Sequence, residues 1–224
     1  MIKITQIKPQ KGKFRFNIYL DGKFGFALSA EEAVKSRLKV GQELSENQVA
    51  DLFFKDKLQN LYDQALRFLS FRPRSEKEIR DYLKKKALNI EFRALGFATE
   101  SNKIKEELIK KVVIDLGKQG LVDDYAFAGW WCRQRAQFRP RGKKMVLAEL
   151  RQKGVEEKLA RKAVDELLDE FLIGQELVVR KFKKSHLLRI ANRRERQKIG
   201  VYLSRHGFGW QTIRKVIDSF LKKR

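Results

Sequence analysis

The sequence predicts a mainly α-helical chain: three tandem three-helix repeats forming an elongated, curved body, preceded by a small α+β domain. Three observations carry this. An arginine-rich corner recurs, with apolar residues at matching offsets behind it. From about residue 57 onward apolar residues recur at three- and four-residue spacing, the period of a helix. Before residue 30 they alternate, the period of a strand.

The strands come first. Ile2 and Ile4 alternate, Pro9-Gln10-Lys11-Gly12 reads as a loop, and two further strands carry Phe14, Phe16, Ile18 and Phe24, Phe26, Leu28 around Leu20-Asp21-Gly22. A two-residue Asp21-Gly22 turn would pair Leu20 with Lys23 and throw the two apolar sets onto opposite faces. The expectation is therefore an odd loop, Gly22 left-handed in a bulge, pairing Ile18 with Phe24 and Phe16 with Phe26. Interleaved with Lys13, Arg15 and Lys23, these rings could stack on bases; packing against a neighbouring helix is the preferred reading. Helices are at hand: Ser29 with Glu32 starts a short one ending before Gly41, and Ser45 with Gln48 starts another carrying Val49, Leu52 and Phe53. This unit is placed at residues 1–55.

The repeats turn on the stretch Ala65-Leu66-Arg67-Phe68-Leu69-Ser70-Phe71-Arg72-Pro73-Arg74-Ser75. Pro73 lacks an N–H and biases Arg72 away from helix, so the chain must turn there. Ser75 and Glu78 then form a capping-box pattern that restarts it. Arg139-Pro140-Arg141-Gly142 repeats the corner, with Leu150 ten residues past its proline as Leu83 is past Pro73; Asn192-Arg193-Arg194 is a third copy, with Leu203 ten past Arg193. Gly154 and Gly207 both fall fourteen past the anchor, followed by Ala163-Val164 and Val216-Ile217. In the first copy the matching Val112-Val113 arrives sixteen residues late, which marks an insertion near 87–103. The repeats are placed at 56–120, 121–171 and 172–224, with helices near 57–70, 76–86, 104–118, 124–137, 143–152, 156–170, 174–190, 194–205 and 209–222. Stacked units of this kind bury their faces on one another and curve around a concave side.

Charge narrows the function. The chain carries 51 Lys and Arg against 28 Asp and Glu, a net +23, and residues 171–224 alone hold 15 basic and 3 acidic residues. Such a local excess favours a polyanionic partner and salt-sensitive association. No apolar run reaches the roughly 20 residues of a membrane span, and the N-terminus does not read as a signal peptide. Cys132 is the single cysteine, so no intrachain disulfide or thiolate metal site is expected, in keeping with a cytoplasmic location. Asp123-Asp124 reads as helix capping, His186 and His206 are too isolated for a metal site, and no Gly-x-x-x-x-Gly-Lys-[Ser/Thr] loop occurs. A nuclease would need clustered carboxylates that are not found. No enzyme and no cofactor are expected. Of Trp130 and Trp131, adjacent on a helix, one is expected in the core and the other as an exposed contact.

The recurring arginines are the better candidates. Arg72, Arg74, Arg139, Arg141, Arg193 and Arg194 occupy one place in each repeat, so stacking would align them as a row whose guanidinium forks suit carboxylates or phosphates. Capping or salt-bridging of neighbouring repeats is the competing reading, and stands level with it. A second set, Lys181, Lys183, Lys184, Arg189, Arg196, Lys198, Lys222, Lys223 and Arg224, is expected to meet DNA phosphates.

The Ala65–Ser75 corner, the run Gly120-Leu121-Val122-Asp123-Asp124-Tyr125-Ala126-Phe127-Ala128, and Arg139-Pro140-Arg141-Gly142 followed by Leu150 and Lys153-Gly154-Val155 resemble the RecX family over about residues 57–224. That resemblance implies a bacterial regulator of the recombinase RecA: a non-enzymatic, monomeric protein of three three-helix repeats. It would lie in the groove of the RecA–DNA filament, inhibit its recombinase and ATPase activities, and so act in homologous recombination, DNA repair and the SOS response. The first arginine set would then face the filament, and the second its single- or double-stranded DNA. The competing reading is a sequence-independent DNA-binding protein acting without RecA. The chain departs from the family pattern in its 87–103 insertion and in Asn192-Arg193 where the other copies have Arg-Pro. Its strand-rich N-terminal unit is found in only part of the family.

Overall fold

The computed structural model describes residues 1–11, 14–90, 101–182 and 192–221. The chain is mostly helical, with an N-terminal four-stranded antiparallel sheet. It divides into two compact units, Met1–Arg72 with Ile79–Leu121, and Pro73–Glu78 with Val122–Arg224.

In the first unit, strands β1 (Ile2–Pro9), β2 (Arg15–Leu20), β3 (Lys23–Ser29) and β4 (Glu43–Leu44) form one sheet in the order β3-β2-β1-β4. The hairpin corrects the sequence expectation. Leu20 does pair with Lys23 across a two-residue turn, and both Asp21 (φ 48°) and Gly22 (φ 82°) are left-handed, as the tight primed turns require. Parity is restored further along the ladder. Tyr19 pairs with Phe24 and Ile18 with Phe26, so Gly25 is the extra residue of a bulge. Phe16 accordingly faces Leu28, not Phe26. A Cβ on Gly25 would stand 2.7 Å from the Leu20 side chain, which would have to shift to admit it. Phe14 precedes the strand and is 93% exposed.

The buried face of the sheet, Ile4, Ile18, Phe26 and Leu28, packs on a helix as the preferred reading had it: Phe26 meets Phe53 edge-on at 6.5 Å. Tyr19 and Phe24 form an edge pair on the other face. Helix α1 (Ala30–Lys35) is N-capped by Ser29, and α2 (Glu46–Leu69) by a complete Ser45/Gln48 capping box. With no glycine or proline between its ends, α2 runs unbroken through residue 55 and so serves both the sheet and the first helical repeat. Helices α3 (Glu76–Ala87) and α4 (Ser101–Lys118) complete that repeat, burying Ile79, Leu83, Val112 and Leu116. Phe68 stacks on Tyr82 with ring centres 4.1 Å apart. Most of the 87–103 insertion lies outside the described residues.

The second unit contains α5 (Asp124–Phe138), α6 (Lys143–Gln152), α7 (Glu157–Leu167), α8 (Glu170–Lys181), α9 (Arg193–Arg205) and α10 (Trp210–Leu221). One buried cluster runs through all six, from Phe127, Ala128 and Cys132 to Leu203, Ile213 and Val216. The break between α7 and α8 comes earlier than expected because Asp169 caps α8, accepting from the N–H groups of Phe171 and Leu172.

The same joint occurs twice in this unit. The second residue past each corner proline reaches the carbonyl before the next repeat's left-handed glycine: Ser75 Oγ donates to Lys153 O at 2.6 Å, and Gly142 N to His206 O at 2.8 Å. The third residue past it donates its backbone N–H to the first-turn acid of the next repeat's leading helix: Glu76 N to Asp124 at 2.8 Å, and Lys143 N to Glu170 at 2.9 Å. Gly154 (φ 82°) and Gly207 (φ 84°) lie under Lys77 and Met145, too close for a Cβ. The recurrence at fixed offsets is thus the signature of this joint.

Candidate nucleic-acid interface

The third repeat carries an open cleft of about 980 Å³ between α9 and α10. Helix periodicity builds one wall. Arg193, Arg196 with Gln197, Gly200 with Val201, and Ser204 follow three- and four-residue spacing along α9, beside the buried Ile199 and Leu203. Asn192 caps that helix by accepting from Arg194 N at 2.9 Å. The other wall is Trp210, Ile213, Arg214, Ile217 and Asp218 of α10, and Lys144 of α6 closes the end.

The turn between the helices places the indole. Gly207 is left-handed and turns Phe208 inward, where it is buried against Gly174 of α8. Trp210, first residue of α10, is left 74% exposed. The cleft therefore combines an apolar floor, an exposed aromatic wall and a rim of five cations (Lys144, Arg193, Arg196, Arg205, Arg214) facing one acid, Asp218. Among the described residues, Lys144, Arg193, Arg205 and Arg214 have no carboxylate at salt-bridge distance. Arg193 and Arg194 also open α9 at its positive dipole end, where helix stability alone would favour acids.

The predicted arginines are distributed as follows. Arg193 lines this cleft, whereas Arg194, one residue on, turns to a smaller recess on the flank of α9 with Lys198 and Arg205. Arg139 is exposed at the end of α5 and Arg141 is half-buried in the second corner. Arg74 is half-buried in the same unit; Arg72, also half-buried, belongs to the first. Of the second set, Arg196 lines the cleft, Lys198 pairs with Glu195 at 2.8 Å, and Lys181 is exposed in the last turn of α8. Lys183, Lys184, Arg189, Lys222, Lys223 and Arg224 lie outside the described residues.

Other candidates resolve into structure. Asp123 caps α5, accepting from Tyr125 N and Ala126 N, and Asp124 belongs to the joint. Cys132 is fully buried, and burial pushes its thiol up to about 11. The Trp130–Trp131 expectation needs correcting, because both rings are half-buried against the core. Trp131 donates to Glu149 and has the Arg135 guanidinium 4.3 Å from its ring centre. The exposed indole is Trp210. Sequence reasoning missed it because Trp210, Ile213, Ile217 and Phe220 share one apolar stripe, and the pattern does not show that the stripe outruns its neighbours. Arg205 and Arg214 were missed too; the small and cationic face of α9 was the available signal.

Family models for the N-terminal domain of regulatory protein RecX, its first three-helix domain and its second match residues 2–45, 62–90 and 123–164. Regulatory protein RecX of Limosilactobacillus reuteri (strain DSM 20016) is 30% identical over 222 residues, 97% of this chain and 76% of that protein. The chain belongs to the RecX family. Regulatory protein RecX of Bacillus velezensis is 29% identical over 221 residues, 96% of this chain and 76% of the relative. A crystal structure of regulatory protein RecX, 27% identical, matches with a TM-score of 0.68 over 97% of this chain and 100% of that one. A structure of RecX from Lactobacillus salivarius, 23% identical, shares the fold with a TM-score of 0.58, covering 74% and 97% of the two chains. RecX relatives carry the name of regulatory proteins, not of enzymes. The matched segments end at residue 164, and the cleft lies almost wholly beyond them.

Proposed function

We propose that this chain is a cytoplasmic, monomeric regulator that binds RecA and the RecA–DNA filament and inhibits its recombinase and ATPase activities without chemistry of its own. The observation that carries this reading is the cationic cleft in the third repeat of a RecX-family fold, where Arg193, Arg205 and Arg214 have no carboxylate at salt-bridge distance among the described residues. A polyanionic filament offers carboxylates and phosphates together, and guanidinium groups bind both. The corner arginines Arg72, Arg74, Arg139, Arg141, Arg193 and Arg194 serve the filament protein. Lys181, Lys183, Lys184, Arg189, Arg196, Lys198, Lys222, Lys223 and Arg224 serve its DNA. The second reading is sequence-independent DNA binding without RecA; it is supported by the cleft, whose cations and indole need no protein partner.

RecA's DNA-dependent ATPase, followed with substoichiometric amounts of this chain, separates the two. Inhibition is expected, together with co-sedimentation on filaments. Unchanged ATPase and no co-sedimentation, at a salt concentration where RecA stays filamentous, would leave only DNA binding. Arg139→Glu with Arg141→Glu should weaken filament docking more than free-DNA binding, and neutralising Lys181, Lys183 and Lys184 should do the reverse. Equal losses in both assays for both variants would remove this division of labour.

A further inference from the structure

We infer that the α9–α10 cleft is a single-strand subsite, in which an unpaired base stacks on Trp210 while flanking phosphates meet Arg196, Arg205 and Arg214 of the rim. This rests on the reading of the third repeat as a nucleic-acid surface and specifies what that surface takes.

The inference follows from what the cleft offers besides charge. A duplex presents phosphates outward and keeps its bases stacked inside, so it could use Arg205 and Arg214 but would leave the indole and the apolar floor in water. A single strand can turn a base into the recess, and every base has a π-face for an aromatic ring. Trp210 is 74% exposed and stands on the same wall as Arg214, so ring and guanidinium are presented to one occupant. Arginine is suited to both jobs, since its planar fork binds phosphate and its face stacks on bases. At about 980 Å³ and open on one side, the cleft admits a chain laterally, which a closed small-molecule pocket would not. Lys144, Arg193, Arg205 and Arg214, with no carboxylate at salt-bridge distance among the described residues, make the charge complementary to a backbone carrying one anion per nucleotide. An acidic peptide with an apolar anchor is the competing occupant, and the test includes it.

The experiment uses the full-length chain and Trp210→Ala, both checked for the same thermal unfolding midpoint. Fluorescence anisotropy follows binding of a short oligo(dT), an abasic strand of equal length, a duplex of equal length and an oligo-glutamate peptide carrying one leucine. Trp210→Ala should weaken oligo(dT) binding about ten-fold and change the abasic strand and the duplex by less than about two-fold. Arg205→Glu with Arg214→Glu should weaken all three nucleic acids. Oligo(dT) should also quench tryptophan emission in the wild-type chain and not in Trp210→Phe, because Trp130 and Trp131 are half-buried in the core. Equal losses for oligo(dT), abasic strand and duplex, or no loss for any, would overturn the stacking subsite. So would Trp210-dependent binding of the acidic peptide without that of oligo(dT). No RecA is present in this assay: a Trp210-dependent single strand with unaffected RecA ATPase would remove the regulator reading and leave the subsite standing, and the opposite pair of results would do the reverse.

Discussion

Gly142 has ordinary extended backbone angles, so its identity is a matter of space rather than of φ. A Cβ there would stand 2.3 Å from the carbonyl carbon of Gly207, in a contact between backbones that no side-chain movement relieves. Gly142→Ala should therefore cost about 2 kcal/mol, in the range of overpacked sites, read as a lower denaturant midpoint with an unchanged slope. Asp124 is a different case in the same joint. Burial raises its pKa, against the opposing effect of the Glu76 N–H. A raised folded-state value means the folded chain holds this proton more tightly. That contribution is fully present below the ordinary carboxylate range and fades as pH rises through the folded value, so acid does not break this joint. Asp124→Asn keeps the acceptor and removes the half-buried charge, and should cost less than Asp124→Ala, which also removes the side-chain acceptor of the Glu76 N–H, at about 1 kcal/mol. Urea unfolding of both variants at neutral pH decides it. Cys132 makes the simplest prediction: with its thiol at about 11 and no exposure, it should resist iodoacetamide near pH 8 until the chain is denatured.

At the scale of elements, the sequence was most readable where one residue decides one local structure. Pro73, Ser75, Ser45 with Gln48, and Asp123 each mark a helix end through backbone hydrogen bonding, and the helices begin there. The hairpin was misread because the decision is shared among residues apart in sequence. The turn type follows from Asp21 and Gly22, but the strand faces depend on a bulge at Gly25, and a glycine in a strand does not announce whether it is spacer or bulge. Asp56 was invisible for a similar reason. It looks like one more surface acid of α2, yet its side chain is fully buried, with both oxygens 2.8 Å from Arg15 Nη2 of the hairpin and Lys57 at 3.3 Å. This pair ties sheet to helix. Asp56→Ala should destabilise the first unit by about 3 kcal/mol, because it strands a largely buried guanidinium, whereas Arg15→Leu with Asp56→Leu should recover most of the loss. Thermal unfolding of the two variants checks both; a double variant no better than the single would mean the pair is more than a compensated burial.

At the scale of the whole molecule, repetition and charge were legible and the cleft was not. The repeats can be read because each joint demands the same few residues at fixed distances: a corner, a small contact, a left-handed glycine and a first-turn acid. The charge can be read because counting needs no geometry, and it points to the last quarter of the chain, where 15 basic residues meet 3 acidic ones. What counting cannot tell is which of those cations share one concavity, since Arg205 and Arg214 converge only through the turn at Gly207. The convergence has a thermodynamic signature. Each phosphate neutralised on a single strand releases condensed counterions, so binding falls with salt at a slope of about 0.7 per contact. Arg205→Gln with Arg214→Gln should lower the slope of log K against log salt for oligo(dT) by about 1.4, two contacts' worth. Arg161→Gln, whose guanidinium is already paired with Glu157 on α7, should leave the slope unchanged. Trp210→Ala should lower affinity at every salt concentration while keeping the slope, since stacking releases no ions. Parallel lines for Trp210→Ala and converging lines for the arginine pair would separate base from backbone at a single cleft; a reduced slope for Trp210→Ala would mean that the indole acts by positioning the cations.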